Sequence, residues 1–165
     1  MPFLRNADQL RKVEWDRGYL WEVRFPDAPP PFNDFFPATS VAEELCDLVS
    51  KVFDGTMNTY QIPTGQAMNE IRLTFVDGGN IKDNQSGLVL SKWITDWINV
   101  EILNDEKYIS TIETASKLMQ VIKLNSQHEI ISDVTYWVFP KGKIMYNGKN
   151  ENSLVEFAVD FAIVG

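Results

Sequence analysis

The sequence predicts a mainly β domain of the α+β kind: an antiparallel β-sandwich or strongly bent barrel of six to seven strands, with one flanking helix and one inserted helix. Three stretches require it. Glu70-Ile71-Arg72-Leu73-Thr74-Phe75-Val76 alternates apolar and polar residues, so Ile71, Leu73 and Phe75 share one face of a half-buried strand. Val155, Phe157, Val159, Phe161 and Ile163 alternate with Leu154, Glu156, Ala158, Asp160 and Ala162, which predicts a second strand of the same kind. Between them Val89, Leu90, Trp93, Ile94, Trp97 and Ile98 recur at three- and four-residue spacing, the stripe of a helix laid on a sheet.

The remaining elements follow in chain order. Residues 1–17 form an amino-terminal arm in which Asn6 to Asp16 reads as a short amphipathic helix, with Leu10, Val13 and Trp15 on one side, ended by Gly18. Tyr19 to Phe25 is a strand by its aromatic and β-branched content, with Tyr19, Trp21, Val23 and Phe25 on one face. Pro26 closes it. Residues 28–59 form a proline-rich connector and the inserted helix. Pro29, Pro30 and Pro31 hold the connector extended, because each ring fixes φ and biases its predecessor toward the β region. Phe35, Phe36 and Pro37 anchor it. Ser40-Val41-Ala42-Glu43 then fits a capping box, and Val41, Leu45, Leu48, Val49 and Val52 continue a helical stripe up to Gly55.

Tyr60 to Gln66 reads as an edge strand bent at Pro63. Asp77-Gly78-Gly79-Asn80 is a turn, since Gly and Asn accept positive φ, and Asn84 or Ser86 supplies the cap of the tryptophan helix. Asn104 to Lys107 is a polar loop. Leu118 to Leu124 and Asp133 to Val138 are strands, the second running into Phe139-Pro140-Lys141-Gly142. Ile144-Met145-Tyr146 is a short strand, with a turn at Asn147-Gly148.

Composition bounds the chemistry. At 165 residues the chain is most simply a single domain, 1–165, able to bury about two-thirds of its unfolded surface. No apolar run approaches the roughly 20 residues of a membrane span, and the first residues lack a signal-peptide core. The expectation is a protein made in a cytoplasm, with no membrane partner. Cys46 is alone, which excludes an internal disulfide, and its apolar neighbours Val41, Leu45, Leu48 and Val49 predict a buried thiol rather than a nucleophile. His128, the only histidine, sits in the loop Asn125 to Glu129, so the usual metal and acid–base constellations are missing. No cofactor is expected.

Glu156 and Asp160 lie four apart on one strand face. That spacing is about 13 Å, wider than either class of glycosidase uses for its carboxylate pair. No phosphate loop, serine elbow or His-Glu helical pair appears, so no catalytic residue is assigned and the chain is read as a non-enzyme. A net charge of −8 argues against holding nucleic acid, whose binding rests on neutralised phosphates. A carbohydrate-binding β-sandwich is the alternative from another class, with Trp21, Trp93 and Trp97 as the sugar platform if they are exposed.

The order of parts resembles the tail-tube proteins of contractile-tailed bacteriophages and their tube-fold relatives in baseplates and injection systems. The resemblance is carried by Arg17 to Phe25 after a short helix. It continues through Ile62-Pro63, the strand Ile71 to Phe75, a polar turn and the helix ending Lys92-Trp93-Ile94-Thr95-Asp96-Trp97. It closes with Val138-Phe139-Pro140 and the strand Asn152 to Phe161. It covers roughly residues 17 to 164; the segment Ala28 to Thr59 departs from it by being longer and more helical than the matching hairpin.

What the resemblance implies is a structural virion protein. It forms hexameric rings that stack into the tail tube, in contact with neighbouring tube, sheath or baseplate proteins, and is assembled in the host cytoplasm. DNA is then a transiting cargo without specific binding; a tube-initiator ring at the baseplate is the alternative within the family. Subunits whose sheets join must leave edge strands unpaired in the monomer. The expected subunit interface is therefore Tyr60, Ile62 and Gln66 together with Ile144 and Tyr146. The acids expected to face the lumen are Glu70, Glu156 and Asp160, which would repel DNA rather than hold it.

Overall fold

The computed structural model describes residues 11–12, 18–30, 32–34, 36–67, 69–78, 87–103, 108–146 and 154–164. Eight strands are present among them: β1 Trp21–Arg24, β2 Ala38–Glu43, β3 Leu48–Asp54, β4 Thr59–Gln66, β5 Glu70–Val76, β6 Lys117–Leu124, β7 Ile130–Lys141 and β8 Glu156–Ile163. Helix α1 is Val89–Asp96, continued by a π-helical turn Trp97–Ile102, and α2 is the single turn Ile112–Ala115. Six strands make one antiparallel sheet in the order β1-β6-β7-β8-β5-β2, and among the described residues β3 pairs only with β4. The sheet bends without closing into a barrel.

The two strands with the cleanest alternation form the middle of the sheet. Ile71, Leu73 and Phe75 of β5 stand directly opposite Phe161, Val159 and Phe157 of β8, and all six are buried. Cross-strand pairs of large apolar residues are the unit that stabilises such a ladder. On the same face, Val23 of β1, Met119 and Val121 of β6 and Val138 of β7 complete the floor of the core.

Helix α1 covers that floor with Leu90, Ile94 and Trp97. Phe25 is the hub of the aromatic packing: its ring centre lies 4.8 Å from Phe36, 5.5 Å from Trp93 and 5.5 Å from Phe161. Trp97 is buried, and its indole Nε1 donates a 2.7 Å hydrogen bond to the carbonyl of Ala115. A buried indole needs such an acceptor, because an unmatched N–H in a dry core loses its water without compensation. Trp97 is thus core, and Trp93 is half-buried against it, its ring centre 5.6 Å from that of Trp97, so the two do not form a fully exposed platform.

The cap of α1 comes from upstream. Asn84 and Ser86 lie outside the described residues. Asp77, at the end of β5, accepts hydrogen bonds from the backbone N–H groups of Gly78 and Leu90 at Oδ1, at 2.8 and 2.9 Å, and of Ser91 at Oδ2, at 2.8 Å. One carboxylate ties the strand end to two of the orphan donors of the helix start, where it also complements the helix dipole.

The inserted helix expected between Ser40 and Gly55 is instead two strands, β2 and β3. The spacing of Val41, Leu45, Leu48, Val49 and Val52 fits a helix, yet Val41 pairs with Leu73, Ala42 with Arg72 and Glu43 with Ile71. A ladder to β5 satisfies these backbone groups and puts β-branched residues where they pack well, which outweighs a local helical period. With the helix gone, residues 48–66 are a β-hairpin, β3 paired with β4. Cys46 is correspondingly exposed, in the turn between β2 and β3, not buried.

Ile144-Met145-Tyr146 is not a strand. Gly142 turns the chain with φ +79°, a conformation open to glycine, and leads it off the sheet directly after Lys141 has paired with Asp160. Ile144 still packs against the core and the Tyr146 ring lies 6.4 Å from Phe157. At the amino-terminal side, Val23 and Phe25 are buried and Trp21 half-buried, whereas Tyr19 lies outside β1 and is exposed. The expected helix of Asn6 to Asp16, the loop Asn104 to Lys107 and the turn Asn147-Gly148 fall outside the described residues, apart from Arg11 and Lys12.

Candidate assembly surfaces

Among the described residues, hairpin β3–β4 pairs only with itself, and all residues of its two strands are exposed. Its register puts Phe53 opposite Tyr60 and Lys51 opposite Ile62, so these four side chains share one face with Val49. Ser50, Val52, Asp54, Thr59, Gln61 and Pro63 share the other, where Gln61 donates to Ser50 at 3.1 Å and Thr59 to Asp54 at 3.3 Å. One face is therefore mainly polar and internally bonded, Val52 and Pro63 apart; the other is mainly apolar, Lys51 apart, with Phe53, Tyr60 and Ile62 at 45, 56 and 48 % exposure. Among the described residues nothing covers the aliphatic and aromatic side chains of this face. Lys51 reaches over the Phe53 ring at 5.4 Å, a cation–π contact at the surface.

Among the described residues, the outer edges of β3 and β4 have no ladder partner. Thr64 is the extra residue of a bulge, since Val49 pairs with Gly65 and Ser50 with Pro63, and its hydroxyl donates to the Val49 carbonyl at 3.1 Å. Bulges and prolines are the devices by which free edges avoid indiscriminate pairing. Of the expected interface residues, Tyr60 and Ile62 fall on the apolar face and Gln66 at the hairpin's foot, opposite Leu48. Ile144 and Tyr146 sit in the loop after β7, at the margin of the six-stranded sheet rather than on the hairpin. Val49 and Phe53 were missed as surface residues, because Val49-Ser50-Lys51-Val52-Phe53 carries no clean two-residue alternation and only their β-branched and aromatic character hints at a strand.

The outward face of β5 and β8 carries the acids. Glu70 is ion-paired with Lys141, and Arg72 lies 3.7 Å from Asp160, directly across the ladder. Glu44 accepts the backbone N–H of Glu70 at 3.1 Å, and Glu156 closes the row opposite Val76. Small residues, Ala158 and Ala162, fill the positions between. The ammonium of Lys141 is held above its ordinary pKa, chiefly by the hydrogen bond to Glu70. The expected lumen-facing acids thus share one face, but two of them are partly neutralised by cations that sequence reasoning left out.

A cavity of about 270 Å³ opens between the two edges of the sheet, where β1 and β2 face each other unpaired. Leu20, Trp21, Val41 and Leu45 make its apolar walls, and Glu43 and Lys123 supply its polar groups. The Glu43 side chain is only 7 % exposed. Its Oε1 accepts the Tyr136 hydroxyl at 3.0 Å and lies 3.6 Å from Lys123 Nζ, while Oε2 has no hydrogen-bond partner among the described residues. Burial, and then the bond to Glu43, push the Tyr136 phenol up to about 12. Among the described residues no cluster of His, Cys, Asp and Glu has the makings of a metal site, and no helix is long and apolar enough to cross a membrane.

Neither protein-family models nor curated protein sequences match the chain. Solved structures do. A chain of the anti-feeding prophage cap, described as the AFP tube terminating cap, superposes with a TM-score of 0.60 at 17 % identity, over 92 % of this chain and 89 % of that one. A chain of the PVC sheath-tube complex of an extracellular contractile injection system, in its extended state, gives 0.60 at 16 % identity over 95 % and 93 %. A chain of the PVC sheath/tube terminator gives 0.60 at 16 % over 92 % and 94 %.

Proposed function

From a tail-tube-like fold, we propose that this protein is a structural subunit of a contractile tail, assembling into hexameric rings that stack around a channel. The observation that carries the proposal is the β3–β4 hairpin. A two-stranded sheet with an uncovered apolar face and two free edges is marginal alone and gains its stability against a neighbour. The subunit interface is built on Tyr60, Ile62 and Gln66, with Ile144 and Tyr146 at a second margin.

The face bearing Glu44, Glu70, Glu156 and Asp160 lines the channel. Arg72 and Lys141 offset two of these four acids, which leaves the face acidic and studded with alanines, a wall that DNA slides past rather than binds. DNA is cargo, and the partners are neighbouring tube, sheath or baseplate proteins. No reaction is assigned. The protein resides in the virion tail after assembly in the host cytoplasm. A second reading, a ring that ends or initiates the tube rather than repeating along it, is favoured by the likeness to a cap and a terminator.

Negative-stain electron microscopy across a range of protein concentrations tests both. Rings with a central hole are expected, and their growth into tubes would mark a repeated subunit whereas isolated rings would mark an end piece. Dispersed monomers at every concentration, with and without preformed tube ends as template, would reject the assembly reading.

A further inference from the structure

Two uncovered features of the chain complement each other in size and chemistry and cannot meet within one molecule. The first is the aromatic tip of the hairpin, where Phe53 and Tyr60 stand side by side on the apolar face. The second is the groove between β1 and β2, with apolar walls and a buried carboxylate that lacks a partner at Oε2. We infer that the hairpin tip of one copy docks into the groove of the next, with the Tyr60 ring between Trp21 and Leu45 and its hydroxyl donating to Glu43. This rests on the proposed assembly and names the contact that drives it.

The fit has three parts. A cavity of about 150 Å³ already admits a benzene ring, so the groove, at about 270 Å³, has room for a phenol. The buried carboxylate has acceptor capacity left after Tyr136 and Lys123, and a neutral hydroxyl satisfies it without adding a second cation beside Lys123. Geometry forbids the same contact within one chain. Leu45 lies three residues before the hairpin's foot at Leu48, while the tip is about 20 Å farther out along the strands. Two hairpins packed face to face would cover the aromatics but leave the groove empty and Glu43 unsatisfied. A tip-to-groove contact is head-to-tail, the type that closes into rings or grows into fibres.

Complementation of two defective subunits tests it. Tyr60→Ala spoils the tip and keeps the groove; Leu45→Asp spoils the groove and keeps the tip. Both residues are exposed, so circular dichroism and thermal melting should match the unmutated chain. By analytical ultracentrifugation each variant alone is expected to associate at least tenfold more weakly than the unmutated protein. Their equimolar mixture should form dimers and nothing larger, because only one intact tip and one intact groove remain per pair. Tyr60→Phe, which loses only the hydroxyl, should weaken association about tenfold. A mixture that behaves as the sum of its components, or variants that assemble normally alone, would overturn the docking while leaving assembly itself intact. Monomers at every concentration of the unmutated chain would overturn both.

Discussion

Asp77 does more than its place in a turn implies. Its carboxylate accepts three backbone N–H groups and fastens the end of β5 to the start of α1. Asp77→Ala leaves those donors to water and removes the negative end of the dipole interaction, so a loss of about 1–2 kcal/mol in urea unfolding is expected. Tyr136 supplies a pH signature. An unfolded tyrosine ionises near 10, and in the fold the neutral phenol is retained to about 12. Its contribution is therefore complete below pH 10 and lost as pH rises toward 12, because the unfolded chain sheds that proton first. Urea midpoints measured at pH 8 and 11 should fall further for the unmutated chain than for Tyr136→Phe; equal falls would count against the Tyr136–Glu43 pairing.

At the scale of elements, α1 and its π-helical continuation depend on one buried indole. Trp97→Ala should destabilise by about 3–5 kcal/mol, since it empties a core site and strands the Ala115 carbonyl. Trp97→Phe should cost less and isolate the hydrogen bond. The hairpin obeys the opposite rule. Phe53→Ser should leave the unfolding free energy within about 0.5 kcal/mol and weaken assembly, a separation that sedimentation and melting curves read independently.

The same contrast explains what was legible in the sequence. Strands β5 and β8 and helix α1 announce themselves because each buries one face against a single layer, which forces a clean period on the residues. Val41, Leu45, Leu48, Val49 and Val52 fit a helical period, and the outcome was decided by pairing of Val41 with Leu73 and of Leu48, Val49 and Val52 with β4, which local sequence does not display. Asp77 was read as turn chemistry because its partners, Leu90 and Ser91, lie thirteen and fourteen residues on. Tyr60 and Ile62 were legible as an edge from Pro63, but Glu43, Phe53 and the groove were hidden inside the supposed helix.

Over the whole molecule, a charge of −8 sits beside a face whose acids are only partly offset by Arg72 and Lys141. Replacing Glu156 and Asp160 with lysine together changes the net charge from −8 by four units, and converts that wall from repelling phosphates to attracting them. Assembled particles of this variant should retain DNA in cosedimentation at low salt and release it as salt rises, whereas unmutated particles should retain none at either. Retention by unmutated particles would mean that the face does not line the passage.

The exposed hairpin also has a cost that precedes any finished particle. A newly made chain carries an adhesive strip, Val49 with Phe53, Tyr60 and Ile62, before a correct neighbour is present. Like-charged chains repel one another at distances where that strip is not yet felt, so a net charge of −8 delays premature sticking. Salt shortens the reach of the repulsion to about 8 Å at physiological strength. If the chain assembles as proposed, ionic strength would act as a clock: dilute salt would keep subunits in waiting, and rising salt would bring on assembly and, when neighbours are scarce, precipitation.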